Sequence, residues 1–236
     1  MSIADKLTTI AENQEKVYEA GKQEGNQAEY DEYWDYIQKN GTLTSYNYAF
    51  CGFTWNAKNF KPKYPMQVTS ANHMFWCFSR ADFVEKADLS QFNIDFSKCT
   101  NLTSTFQNAH LISTGFVDCS SAGNLKDTFN CNNWGGLQKI HVKVIETNTF
   151  SSTFAYNYDT TEIIFSDDSV IAANGLNVQW STKLSKESII SIINALSPNT
   201  SGLTVTISKT AKQNAFTDEE WATLIATKPN WTISLA

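Results

Sequence analysis

The chain has 236 residues, 13% of them aromatic, with 18 lysines and arginines against 24 aspartates and glutamates and a net charge of −6. That length buries a substantial core, as one long domain or as one domain with an appendage. The acidic balance and the lack of a basic stripe argue against nucleic acid as a partner, and no run approaches the ~18 apolar residues of a membrane-spanning helix.

Residues 3–21 read as a helix with a narrow seam. Ile3, Leu7, Ile10, Gln14, Val17 and Gly21 are spaced alternately four and three apart, the period of a coiled coil. Gln14 puts a polar group at a core position, a device that sets register and oligomer state. So short a helix is marginal alone, which makes residues 1–24 an expected oligomerisation or docking element. A helix packed on its own domain, or a frayed arm, is the alternative. Met1–Ile10 contains Asp5 and Lys6 and no apolar core, unlike a signal peptide, so synthesis in the cytoplasm is expected.

Residues 28–70 are expected to supply a capping helix and a connection. Tyr30, Tyr33, Trp34 and Ile37 fall on one face of a helix over 28–38 that Asn40-Gly41 stops. Residues 42–70 read as irregular, with Pro62 and Pro65 favouring an extended path.

From 71 to 180 the pattern is a degenerate repeat. Phe50, Phe75, Phe106, Phe129 and Phe154 are separated by 25, 31, 23 and 25 residues, and the last three follow threonine. A unit repeated at this period is the mark of a solenoid of stacked coils. Short alternating segments precede the motifs: Phe92–Phe96, Gly115–Asp118, Ile140–Val144 and Glu162–Phe165. They predict a parallel ladder, one strand per coil. Ile94, Val117, Val142 and Ile164 would face the core, and Asn93, Asp95, Asp118, His141, Lys143 and Glu162 would face solvent. The long step before Phe106 predicts an insertion, Arg80–Ser90, bulging from one coil.

Residues 181–236 read as a C-terminal cap. Ser185 opens a helix through Leu196 with Ile189, Ile190, Ile193 and Leu196 on its buried side. Leu203–Ile207 alternates as a strand, Thr217-x-x-Glu220 is a capping box, and Trp231–Leu235 is a final strand. The expectation is two more coils of the same ladder, with helices replacing the irregular arc. The fold class read from sequence is therefore α/β: a leucine-rich-repeat-like solenoid with a parallel strand ladder, N-terminal helices and C-terminal strand–helix units.

Chemistry is hard to find. The histidines His73, His110 and His141 lack metal-ligand spacing with one another or with cysteine. Cys51, Cys77, Cys99, Cys119 and Cys131 form no C-x-x-C pair and read as buried free thiols. Neither a phosphate loop nor a nucleophile elbow is present. Asp95 and Asp118 could lie on adjacent strands, but nothing else marks the cleft a glycosidase needs. No cofactor, metal or catalytic residue is assigned. The candidate ligand-binding groups are Trp134 with Asn132 and Asn133, Tyr158 beside Asn157, and the strand-face residues His141 and Lys143. Half-burial at a coil edge is the alternative for the aromatic groups.

Asn101-Leu102-Thr103-Ser104-Thr105-Phe106 and Asn124-Leu125-Lys126-Asp127-Thr128-Phe129, each followed by a strand, resemble the BspA-type leucine-rich repeat. The likeness is good over 99–165. It weakens at 71–78 and 149–158, which lack the Asn-Leu pair. The wider layout, with Lys6–Asn13, Lys16–Gly21, Tyr30–Trp34, Ser181–Lys186 and Lys228–Ile233, resembles leucine-rich-repeat proteins encoded by tailed phages and prophages of gut bacteria. That resemblance implies a virion-associated structural protein of tail, fibre or decoration type, not an enzyme. Its partners would be other copies of itself (a trimer is one option), other virion proteins, and a host surface glycan or protein. A bacterial cell-surface adhesion module is one alternative, and a carbohydrate-active enzyme a second.

Overall fold

The computed structural model describes residues 44–51, 62, 65–78, 86–132 and 136–236. The helices expected over 3–21 and 28–38, including the seam Ile3, Leu7, Ile10, Gln14 and Val17, lie outside the described residues. The fold is mixed α/β with parallel sheets. In chain order it contains β1 (Met66–Gln67), β2 (Ala87–Asp88), β3 (Ile94–Asp95), β4 (His110–Asp118), β5 (Gly136–Lys143), β6 (Glu162–Phe165), β7 (Asn177–Val178), α1 (Lys186–Ala195), β8 (Leu203–Ile207), α2 (Lys209–Ala215), α3 (Asp218–Ile225) and β9 (Trp231–Leu235).

The five repeat phenylalanines form one buried column. Ring centroids lie 5.3 Å apart for Phe50–Phe75, 5.5 Å for Phe75–Phe106, 5.5 Å for Phe106–Phe129 and 5.3 Å for Phe129–Phe154, with interplanar angles of 24°, 8°, 5° and 16°. All five rings are almost fully buried. A backbone ladder runs beside them. The N–H groups of Phe50, Phe75, Phe106 and Phe129 donate to the carbonyls of Met74, Thr105, Thr128 and Thr153, each one residue before the next phenylalanine.

The other motif positions have separate jobs. Asn101 and Asn124 accept from the N–H two residues on, the turn geometry that asparagine favours. Leu102 and Leu125 are buried. The residue two before each phenylalanine (Tyr48, His73, Ser104, Asp127 and Ser152) has φ between 52° and 58°, a left-handed bend that turns the chain back toward the stack. The threonines of Thr-Phe are buried hydroxyl donors. Thr105 Oγ1 reaches Ala71 O at 2.9 Å, Thr128 Oγ1 reaches Leu102 O at 3.0 Å and Thr153 Oγ1 reaches Leu125 O at 2.7 Å, each carbonyl belonging to the preceding motif.

The strands pair as a parallel ladder in the order β2-β4-β5-β6. The register corrects the expected columns. Val117 pairs with Val142 as expected, but Val142 pairs with Phe165. Ile163 and Phe165 are therefore the buried residues of β6, and Ile164 turns outward. Strand β3 does not join this sheet: it pairs with β1, Met66 opposite Ile94, so residues 42–70 contain a strand that the sequence reading missed. The place beside β4 goes to β2, from the segment expected to bulge. Ala87 and Leu89 are buried, and a turn of 3-10 helix at Leu89–Gln91 packs on Gly115. At Gly115 (φ 67°) a side chain would meet Leu89 O at 3.2 Å. The register of β4 slips here by one residue against β5, as at a β-bulge.

Beyond β6 the two sides of the stack exchange roles. Helix α1, capped by Ser185, lies along the edge of β6. There Ser188 Oγ accepts from Ile163 N at 3.1 Å, and Ser191 Oγ accepts from Phe165 N at 2.8 Å and donates to Phe165 O at 3.1 Å. The parallel strands β7, β8 and β9 form a separate sheet on the phenylalanine side, where the Cβ of a residue in place of Gly175 would fall 2.3 Å from Phe150 O. The C-terminal segment is thus not a continuation of the strand ladder. The strand, capping-box and final-strand expectations hold, with Leu203–Ile207 and Trp231–Leu235 parallel and Thr217 and Glu220 in a reciprocal cap. Helix α2 was not anticipated. On α1 the buried isoleucines are Ile189, Ile192 and Ile193, and Ile190 is only half-buried.

Truncating Phe106 to alanine removes the middle of the ring column and should cost about 3–5 kcal/mol. Thr153→Val, which keeps the volume but loses one of the hydrogen bonds at Leu125 O, should cost about 1 kcal/mol. Urea unfolding of the two variants measures both, and the order is expected to be Phe106→Ala far below Thr153→Val.

Candidate binding face

The outward surface of the β3–β6 region carries a row set by strand register. Phe116 on β4 is opposite His141 on β5, and His141 is opposite Ile164 on β6. Residues opposite each other in a parallel pair point to the same side, so an aromatic, an imidazole and an aliphatic group stand in a line across three strands. Phe116 is 53% exposed, an unusual place for a large apolar ring whose neighbours at 115 and 117 are buried.

Each end of the row opens into a depression. Beside Phe116 a groove of about 470 Å³ is lined by Ser90, Asn93, Ile94, Asp95 and His141, among others. Beside Ile164 a second, of about 420 Å³, is lined by Asp167, Glu187, Ile190 and Asn194, among others. Both are within the size range of ligand sites.

Charges fringe the row. Glu162 contacts His141 and lies 3.8 Å from Lys139. Lys143, opposite Asp118 in the strand register, pairs with Asp168 at 2.6 Å. That hydrogen bond, first among several causes, lowers the Asp168 carboxyl below its ordinary value and raises the Lys143 ammonium. Burial alone would raise Asp95, but hydrogen bonds from Ser97 and Gln67 and the charge of Lys98 outweigh it and hold the carboxyl below 3.8. The face therefore presents ionised carboxylates at neutral pH.

The residues singled out in the sequence fall in different places. His141 and Lys143 stand together on the outward face of β5. Asn132 is exposed on the loop leading into β5; its backbone N–H donates to Asn130 Oδ1 at 2.9 Å. Tyr158, 48% exposed, belongs to a cluster with Tyr156 (centroids 6.5 Å apart), which in turn lies 5.0 Å from Trp180. Asn157 is only 1% exposed, so it cannot serve as a surface contact beside Tyr158. Trp134 and Asn133 lie outside the described residues. The groups missed were Phe116, Ile164 and Ile190. Phe116 carried a legible signal: it is the apolar residue out of phase in Gly115–Asp118.

None of the five cysteines forms a disulfide; four are buried and Cys51 is half-buried. Burial pushes the Cys99 thiol up to about 11 and the Cys131 thiol up to about 12, and raises the Cys119 thiol well above its ordinary value. Protonated thiols are poor nucleophiles and metal ligands. Among the described residues no group of three histidine, cysteine, aspartate or glutamate side chains could hold a metal ion. Among them, too, no helix is long and apolar enough to cross a membrane. In comparisons with known proteins, no family model matches the chain, and neither a curated protein nor a solved structure matches it.

Two measurements probe this chemistry. Thiol titration of the native protein should label Cys51 first, with Cys99, Cys119 and Cys131 reacting only after denaturation. Asp95 should titrate below 3.8 by NMR. Because its folded value is depressed, its contribution to stability is complete above the ordinary carboxylate range and lost as pH falls through the lower value. Asp95→Asn should therefore flatten the acid limb of the stability curve, and an unchanged limb would count against the assignment.

Proposed function

We propose that the stacked motifs form a leucine-rich-repeat-like solenoid of the BspA type, and that the chain is a phage virion-associated structural protein of tail, fibre or decoration type. It is made in the host cytoplasm and assembles into the particle. Residues 1–24 join copies to one another or to another virion protein, and the repeat region presents a stiff surface to a host receptor. The chain works by binding, not by catalysis.

The observation that carries the binding part is the exposed Phe116–His141–Ile164 row, mounted on a strand ladder whose far side is packed against the phenylalanine core. A large exposed ring in register with further half-exposed groups is what an interaction surface offers and a solvated sheet face avoids. The carboxylates of the same face support binding over hydrolysis, since Glu162 and Asp168 are engaged by basic neighbours. The virion part rests on the resemblance of Lys6–Asn13, Lys16–Gly21, Tyr30–Trp34, Ser181–Lys186 and Lys228–Ile233 to the phage-encoded proteins. A cell-surface adhesion module would use the same face without the assembly helix.

Light scattering separates the two. The full chain is expected to be a discrete oligomer that becomes monomeric when residues 1–24 are deleted. A monomeric full-length protein would sink the assembly role, and absence of the chain from purified particles of a phage that encodes it would sink the virion assignment.

A further inference from the structure

The outward face combines three features that together specify an occupant. The first is a flat, accessible aromatic ring, Phe116, with the carboxylate of Asp95 lining the same groove. The second is a row that continues from that ring across the His141 imidazole, which contacts Glu162, to the apolar Ile164 and Ile190, the two lining the second depression. The third is charge. Asp95, Asp118, Glu162, Asp167, Asp168 and Glu187 border the row, against Lys98, Lys139 and Lys143. Lys139 and Lys143 are themselves engaged by Glu162 and Asp168.

An aromatic face beside a carboxylate fits a guanidinium. The planar cation stacks on the ring while its N–H groups reach the acid. The acidic border repels polyanions such as phosphorylated or carboxylated glycans. It also disfavours a second copy of this chain, which would bring the same border and a net charge of −6 against itself. The two depressions lie on either side of the strands β4–β6, so the occupant has to be elongated and to run across them.

We propose that this face is the docking site for an extended, basic segment of a partner protein, with an arginine seated on Phe116 against Asp95 and an apolar side chain over Ile164 and Ile190. The proposal rests on the reading of this face as a binding surface and names its partner's chemistry. Binding of this kind weakens with salt, because the charged border supplies part of the attraction, and it tolerates lysine poorly at the stacked position.

The test uses the full chain and four probes: a fluorescein-labelled nonapeptide alternating leucine and arginine, its lysine and glutamate counterparts, and a labelled neutral glucan oligosaccharide. Anisotropy should rise with the arginine peptide, at least fivefold less tightly with lysine, and not with glutamate. Phe116→Ala and Asp95→Asn should each weaken arginine-peptide binding about tenfold. Phe116 is exposed and the protein should fold without it; Ile164→Ser, at a half-buried site, is the second variant if it does not, with a similar loss expected. Equal affinity for arginine and glutamate peptides, or binding indifferent to all three substitutions, overturns the proposal. Binding of the oligosaccharide alone, lost in Phe116→Ala, overturns the basic-segment occupant while leaving the face a binding surface. If none of the probes binds and receptor-surface attachment is unchanged in Phe116→Ala, both readings fall.

Discussion

The structure depends on a match between two spacings. Neighbouring strands in a sheet sit about 4.7–4.9 Å apart. Parallel, offset phenyl rings stack with centroids a little farther apart than that, and here the steps are 5.3–5.5 Å. One chain can therefore climb a strand ladder on one side and a ring column on the other with the same rise per repeat. Burying each ring stabilises the fold by about 1.5–3 kcal/mol, and a favourable aromatic pair adds about 0.5–1.5 kcal/mol. The left-handed bend two residues before each ring costs about 1–3 kcal/mol. It persists because the ring and the backbone ladder fix both ends of the bend.

The threonine before each of the last three rings follows from the same match. A carbonyl turned into the stack has to be satisfied without water, and the hydroxyl of the next motif reaches it. Where Ala49 or Met74 stands in place of threonine, the backbone bonds of Phe50 and Phe75 and the stacking of their rings are still made. The same physics explains the three copies that lack Asn-Leu, the first of which has Ser45 at the bridging position and buried Tyr46 at the leucine site. In the other two, Ser70 and Thr149 sit at the bridging positions, and Ala71 and Phe150 fill the leucine site. Bulky Phe150 and small Ala71 are accommodated because the stack needs apolar volume there more than it needs a particular shape.

Much of this was legible in the sequence. The period placed all five rings, and alternation found β3, β4, β5, β6, β8 and β9. Caps at Ser185 and Thr217 found two helices. The failures have physical causes. Strands β1 and β2 are two residues long, too short to show a period on their own, so Met66–Gln67 passed for a connection and Ala87–Asp88 for a bulge. The doubled isoleucine of Glu162–Phe165 left the inward residue ambiguous by one position, and only pairing to Val142 decided for Phe165. Which sheet a strand joins is a long-range fact: alternation cannot tell that Ile94 pairs with Met66. The binding row was half legible. Strand phase put His141 and Lys143 outside, but lining them up with Phe116 and Ile164 needed the register. Composition drew attention to Trp134 and Tyr158 for their chemistry, not for their position.

Helix α1 ends the strand ladder by giving β6 hydroxyls where it would otherwise offer an open edge to another strand. Ser188 and Ser191 use up the N–H groups of Ile163 and Phe165 that a further repeat would have needed. Growth of the stack is thereby blocked at this end and left free in its middle. Whole units the size of the step from Phe106 to Phe129 could be duplicated or deleted between β4 and β6 while α1 and the C-terminal sheet kept their seats. The number of rungs in the ladder can then change one at a time, with the cap travelling unchanged.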